Sequence, residues 1–252
     1  MPESRRRSRL ANIAARDRLI VALDLPNVAE ARAFVDRAGV AVTFYKIGLE
    51  LVMNGGLELA RELAGEGKQV FLDMKLLDIG NTVERATRSA AGTGATFLTV
   101  HGHDSKTLRA AVAGKAGTRL RVLAVTVLTS LDAGDLAEQG HGGAVEDLVA
   151  HRAKLAREAG CDGVVASGLE AAQVRDAVGP GIAIVTPGIR LAGDAAGDQK
   201  RVATPQTAIA SGADYIVVGR PITAAPDARQ AAESFVQAIE EALAMRSLGP
   251  PG

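Results

Sequence analysis

Residues 69–83, QVFLDMKLLDIGNTV, begin as a buried strand and end in charge. The run QVFLDM is short, apolar and rich in strand formers, the texture of a strand covered on both faces in a parallel sheet flanked by helices. It then meets Asp73, Lys75 and Asp78, three ions within six positions. Removing ions from water is costly unless they pair or perform chemistry, so the segment is either a lattice of salt bridges or part of a working site. Asp73 and Lys75 are two apart, and on an extended chain residues i and i+2 share a face.

Similar runs recur on both sides: LIVALD (19–24), VTFYKIG (42–48), TFLTVH (96–101), LRVLAVTVL (120–128), DGVVAS (162–167), IAIVTPG (182–188) and DYIVVGR (214–220). Stretches with helical spacing separate them, among them AEARAFVDRA (29–38), LELARELAGE (57–66), VEDLVAHRAKLAREAG (145–160) and AAQVRDAV (171–178). Strict alternation of strand and helix over eight units predicts an α/β protein built as a single (β/α)8 TIM barrel over residues 19–244. An open doubly wound sheet is the competing architecture, but no GxGxxG follows the first strand. The Arg-rich start, residues 1–18, is expected to be a frayed, solvated tail rather than a transit peptide or phosphate-binding arm, and residues 245–252 a flexible end. Two long insertions, residues 129–147 and 188–205, follow the fifth and seventh strands and so fall on the face where barrels keep their sites.

Lys plus Arg and Asp plus Glu both number 29, so no global field favours nucleic acid or an anionic membrane, and any anion site must be local. The lone cysteine, Cys161, excludes an intrachain disulfide and reads as a small buried side chain in a reducing compartment. No apolar run approaches the roughly 18 residues a bilayer span needs, and the start lacks the apolar core of a secretory signal. A cytoplasmic protein is expected.

In this register Asp24, Lys46, Asp73 and Lys75 all arrive at C-terminal strand ends, from three separate strands. One such pair is unremarkable as a salt bridge. Several ions desolvated at one rim make poor stability sense, whereas coupled charges tune one another for catalysis. A second constellation lies on the far strands: TPGIR (186–190) and VGRPI (218–222). Gly188 and Gly219 let backbone approach an anion, and the Arg220 guanidinium can fork two phosphate oxygens, so a phosphorylated ligand is expected there. His101 and His103 have the HxH spacing of metal ligands but no convergent carboxylate outside the lysine-paired cluster. They read as packing or supporting groups, and no metal is expected.

The motifs ALD (22–24), FYKIG (44–48), LDMKLLDIGNTV (72–83), VTVLTS (125–130), VTPGIR (185–190), GDQKR (197–201) and VVGRPI (217–222) resemble those of the bacterial orotidine 5′-phosphate decarboxylases over residues 19–244. The resemblance implies a cofactor-free homodimer with shared active sites acting on a small nucleotide. It implies that Lys46, Asp73, Lys75 and Asp78 form an alternating charged array, with Asp78 and Thr82 entering from the partner subunit. It also implies that Asp24 and Lys46 bind ribose hydroxyls, that Thr129 or Ser130 faces the pyrimidine, and that Arg190, Gln199, Gly219 and Arg220 hold the phosphate. Gly80 departs from the proline expected in many members. Two other readings stay open: a magnesium-dependent sugar-phosphate decarboxylase or synthase of the same superfamily, and a phosphate-binding barrel without catalysis.

Overall fold

The structure, a computed structural model, describes residue 10, residues 12–191 and residues 203–247. Within them β1 (Leu19–Ala22), β2 (Phe44–Gly48), β3 (Gln69–Leu76), β4 (Phe97–His101), β5 (Arg121–Val125), β6 (Gly163–Val165), β7 (Ala183–Thr186) and β8 (Tyr215–Val218) pair in parallel and in sequence order. β8 returns to β1, which closes the barrel. Closure, with no switch in strand order, settles against the open sheet.

Helices cover the outside because their apolar residues recur at helical spacing. The Val28–Ala38 helix buries Ala31, Phe34, Val35 and Ala38, one stripe of its surface. Its start is fixed by Asn27, whose side chain accepts the Glu30 N–H at 2.9 Å, satisfying one of the donors a helix N-terminus leaves open. Asp104 does the same for the Ser105–Gly114 helix through the Thr107 N–H at 2.8 Å. The insertion after β5 carries its own helix, Ala133–Glu138, closed by an Asp132–Asp135 capping box. Among the described residues no helix is long and apolar enough to cross a membrane.

Inside the barrel, side chains of matching phase build an aromatic layer. The Phe97 ring lies 5.1 Å from Phe44, 5.8 Å from Phe71 and 5.1 Å from Tyr215, centroid to centroid, with edge-to-face or tilted geometry. Arg121, the first residue of β5, stacks its guanidinium 4.3 Å from the Phe97 centroid and donates to the Tyr215 hydroxyl at 3.2 Å.

The expected tail over residues 1–18 is too long. Leu10 is buried against the barrel interior, Ala15–Arg18 form a helical turn, and Arg18 is 1% exposed. Its guanidinium donates to the carbonyls of Leu10 at 3.0 Å, Ile13 at 3.1 Å and Asp214 at 3.0 Å, closing the end opposite the charged rim. The sequence misleads here because Arg normally signals solvent, whereas this fork meets three backbone acceptors. Residues 1–9 and 11, and residues 248–252 of the other expected tail, lie outside the described residues, while residues 245–247 continue the Ala228–Ser247 helix. Arg18→Ala strands those carbonyls and should cost about 2–4 kcal/mol, read as a lower urea midpoint at unchanged m-value. A midpoint equal to that of the parent would show that the plug contributes nothing.

Candidate active site

Strand phase places the charges one step above the aromatic layer. Phe44 is followed inward by Lys46, Phe71 by Asp73, and Phe97 by Thr99, since alternate residues share a face. In the parallel register Lys46 stands beside Phe71, and Gly48 beside Asp73. Lys46 Nζ lies 2.8 Å from Asp24 Oδ1 and 3.6 Å from Asp73 Oδ2, while Lys75 Nζ lies 2.9 Å from the same Asp73 oxygen. Four sequence-predicted residues thus form one chain of alternating sign: Asp24, Lys46, Asp73, Lys75.

The Asp73 side chain is 14% exposed, and burial by itself pushes its carboxyl up. The Lys46 and Lys75 ammonium groups, with hydrogen bonds from Lys75 and Thr99, outweigh burial and hold it below the ordinary carboxylate range. Gly48 is part of this packing. A Cβ there would stand 3.2 Å from Asp24 Oδ1 and 3.3 Å from Lys46 Nζ, tight against the ion pair.

Two features of β3 leave no mark in its sequence. Its pairing with β4 shifts between Leu72 and Leu76, which face Leu98 and Val100, so the intervening residues bulge opposite Thr99. Lys75 sits in the bulge at φ 49°, a left-handed conformation that costs a non-glycine residue about 1–3 kcal/mol and gathers at functional sites. The fully buried Thr99 spans the irregularity: its hydroxyl donates to Asp73 Oδ1 at 2.9 Å and accepts the Lys75 N–H at 3.0 Å. The sole available signal was that Thr99 shares the inward phase of Phe97 and His101.

Above the aromatic layer opens a cavity of about 520 Å³, in the size range of small-molecule sites. The charged chain forms one wall, Val125, Val165 and Val217 line its apolar floor, and Gly188, Arg190, Gly219 and Arg220 stand opposite, just past the ends of β7 and β8. Gly188 takes φ 76°, which suits glycine. Arg190 is buried, with Nη1 donating to the Ile189 carbonyl at 2.9 Å, and Arg220 is exposed. Of the two pyrimidine-facing candidates, Thr129 lines the cavity and Ser130 is exposed outside its lining. Gln199 lies outside the described residues.

Asp78 and Thr82 do not line this cavity. Asp78 is exposed, its Oδ1 accepting the Ile79 N–H at 2.6 Å, and among the described residues it makes no ion pair. Thr82 is exposed on the Gly80–Ala91 helix. At Gly80 a Cβ would meet only Ala110 Cβ, at 3.7 Å, so the fold has room for a side chain at this departure from the family pattern.

The His101 and His103 rings stand 4.8 Å apart, near Arg152, which contacts His141 Nε2 at 3.3 Å and donates to the Thr126 carbonyl at 2.7 Å. Burial, then the Arg152 charge, pushes His103 down to about 4, so it is neutral at physiological pH. Among the described residues no three His, Cys, Asp or Glu side chains are grouped to hold a metal. Burial likewise lifts the Cys161 thiol to about 12, as befits a packing residue.

A profile described as "Orotidine 5'-phosphate decarboxylase / HUMPS family" matches residues 17–235. The chain belongs to this family. It is 59% identical over 233 residues to an orotidine 5′-phosphate decarboxylase of a Bradyrhizobium species, covering 92% of this chain and 96% of the relative. It is 61% identical over 221 residues to that of Methylobacterium radiotolerans, covering 88% and 95%. The crystal structure of the Lactobacillus acidophilus orotidine 5′-phosphate decarboxylase superposes with TM-score 0.79 at 36% identity, covering 88% of this chain and 98% of that one. The decarboxylase from Pyrococcus horikoshii gives 0.72 at 27% identity, covering 88% and 99%. Within this decarboxylase family the charged chain and the cavity beside it are the natural place to look for chemistry.

Carbon-detected NMR titration of the Asp73 carboxyl should give a midpoint below that of a free aspartate, about 3.9. Lys46→Met should move it upward, because the Lys46 ammonium is the leading favourable influence on that carboxylate. A midpoint unaffected by the substitution would mean that the 3.6 Å approach carries no electrostatic coupling.

Proposed function

We propose that this chain converts orotidine 5′-monophosphate to uridine 5′-monophosphate and CO2, a step of pyrimidine biosynthesis, without a cofactor. The observation that carries the reading is the Lys46–Asp73–Lys75 chain at one side of the cavity, with arginines and glycines suited to a phosphate at the other. The names borne by relatives at 59–61% identity support it.

The chemistry follows from the charges. The bond from C6 of the pyrimidine to its carboxylate breaks, CO2 leaves, and the electron pair stays on C6. That carbanion has little resonance help, so stabilisation must come from charge already in place. The Lys75 ammonium stabilises the developing charge and then donates its proton to C6; water later restores the proton to the amine. Asp73 opposes the substrate carboxylate and, by pairing with Lys75 at 2.9 Å, aims the ammonium. Lys46 and Asp24 are assigned to the ribose hydroxyls, and Thr129 or Ser130 to the pyrimidine. Arg190, Arg220, Gly219 and Gln199 are assigned to the phosphate. The protein would accept a Cβ at 219, 3.7 Å from Ala22 Cβ, so close approach of a ligand is the better account of that glycine. A magnesium ion finds its would-be carboxylates already paired with ammonium groups, which favours the cofactor-free reading over the sugar-phosphate one.

The site is proposed to be completed in a homodimer, where the partner subunit supplies Asp78 and Thr82. Asp78 lies past the strand end, between Leu77 and Ile79, which are 50% and 73% exposed; apolar side chains so placed suit an isologous interface around the mouth. The setting is taken to be the cytoplasm, consistent with a lone thiol.

Protein dialysed against EDTA should release CO2 from orotidine 5′-monophosphate, and Arg220→Ala should lower kcat/KM about 10- to 100-fold, the worth of charge-assisted hydrogen bonds. The unphosphorylated nucleoside should be nearly indifferent to the substitution; equal losses on both substrates would remove Arg220 from the phosphate site. For the dimer, Lys75→Ala and Asp78→Ala should each be nearly inactive alone. Mixed and re-equilibrated, they should recover roughly a quarter of wild-type activity, since about half the dimers are mixed and each of those has one intact site. No recovery despite proven subunit exchange would place the action of Asp78 within its own chain.

A further inference from the structure

The β3–β4 ladder is broken at the residues the proposed reaction uses. Leu72 pairs with Leu98 and Leu76 with Val100, so three residues of β3 stand against one of β4, and that one is Thr99. A ladder interrupted in this way leaves the Lys75 N–H without a backbone carbonyl opposite it, in a part-buried place where an orphaned donor is costly. The Thr99 hydroxyl replaces that carbonyl, accepting at 3.0 Å. The same oxygen uses its own proton on Asp73 Oδ1 at 2.9 Å. It therefore ties the backbone of the proposed proton donor to the carboxylate that orients its ammonium.

The division of the carboxylate is specific. Thr99 takes Oδ1, which leaves Oδ2 to both ammonium groups, Lys75 at 2.9 Å and Lys46 at 3.6 Å. A carboxylate held by one oxygen can turn about its Cβ–Cγ bond; held by both, it cannot. The left-handed Lys75 needs such support, because a strained backbone persists only where its surroundings over-determine it. Thr99 is itself rigid, being β-branched, fully buried and fixed within a parallel strand.

We infer that Thr99 is a positioning residue for the decarboxylation: its hydroxyl fixes the Asp73 carboxylate and the Lys75 backbone together, so that the Lys75 ammonium is presented to the cavity in one orientation. This rests on the function proposed above. Thr99 does not line the cavity and acts through its two partners. A residue that merely joined β3 to β4 would influence stability and leave chemistry and ionisation alone.

The test compares Thr99→Val, which keeps the shape and removes the hydroxyl, with Thr99→Ser, which keeps the hydroxyl. Valine should lower kcat about 10- to 100-fold, the cost of misplacing a catalytic group by about an ångström, with KM changed less than about threefold. Serine should retain kcat within about threefold. In the free protein the Asp73 carboxyl midpoint should rise in Thr99→Val, since a hydrogen bond to the charged form is lost, and stay in place in Thr99→Ser. Wild-type turnover with Thr99→Val at full kcat and an unmoved midpoint would overturn the inference. So would a Thr99→Ser variant whose kcat falls about 10-fold or more below wild type, a comparison that stands even if Thr99→Val fails to fold. If wild-type protein released no CO2, the proposed function would fall, and the NMR midpoints would still decide whether the hydroxyl governs the Asp73–Lys75 pair.

Discussion

A carboxylate held away from water must be compensated, and at Asp73 the compensation organises the upper half of the molecule. Two ammonium groups share one of its oxygens and a threonine hydroxyl takes the other. Removing either lysine would leave the buried carboxylate with one ammonium partner in place of two, which costs more than an exposed pair contributes. The surroundings are built to keep these groups in reach. β2 delivers Lys46 through its register beside Phe71, Gly48 makes room for the Lys46–Asp24 pair, and the bulge in β3 accommodates Lys75 at an unfavourable φ.

The aromatic layer beneath is the second half of that constraint. Phe44, Phe71, Phe97 and Tyr215 fill the barrel below the ions, and Arg18 with Leu10 closes the far end. Charges are therefore reached by solvent from one side, through the cavity. A substrate filling that cavity would displace the remaining water and strengthen every interaction between the ions and the reacting carbon. Binding energy from a phosphate held on the β7 and β8 loops could then be spent on closing the site rather than on affinity alone. The architecture suits a reaction in which the protein forms no covalent intermediate with its substrate, and the work is done by charge fixed in place beforehand.

Much of this was legible in the chain. Each of the eight apolar runs holds a strand, seven of them with ends trimmed by a few residues and β3 running on to Leu76, because a strand buried on both faces is largely apolar and so announces itself. Strand phase also put Asp24, Lys46, Asp73 and Lys75 on one rim, since a period of two is the most reliable geometry a sequence carries. The motifs that resemble the decarboxylase family pointed to the same residues by a separate route. Reading went astray at Arg18, where composition suggested solvent and the fold supplies three carbonyls. It was blind to Thr99, since a threonine in a strand is ordinary and its two partners come from a neighbouring strand.

By itself the sequence determined the strand and helix alternation, the inward phase of each strand and hence which ions could meet. These depend on local periodicity and on which side chains water rejects. Tertiary structure alone decided how the ions meet. The register of β2 on β3, the slip of β3 against β4 and the left-handed turn at Lys75 arise from pairing between strands some 25 residues apart in sequence, as Lys75 and Thr99 are at a separation of 24. No local preference encodes such a slip. It exists because closing eight twisted strands fixes every register at once, and the misfit at β3 is taken up where a threonine hydroxyl can stand in for the missing carbonyl.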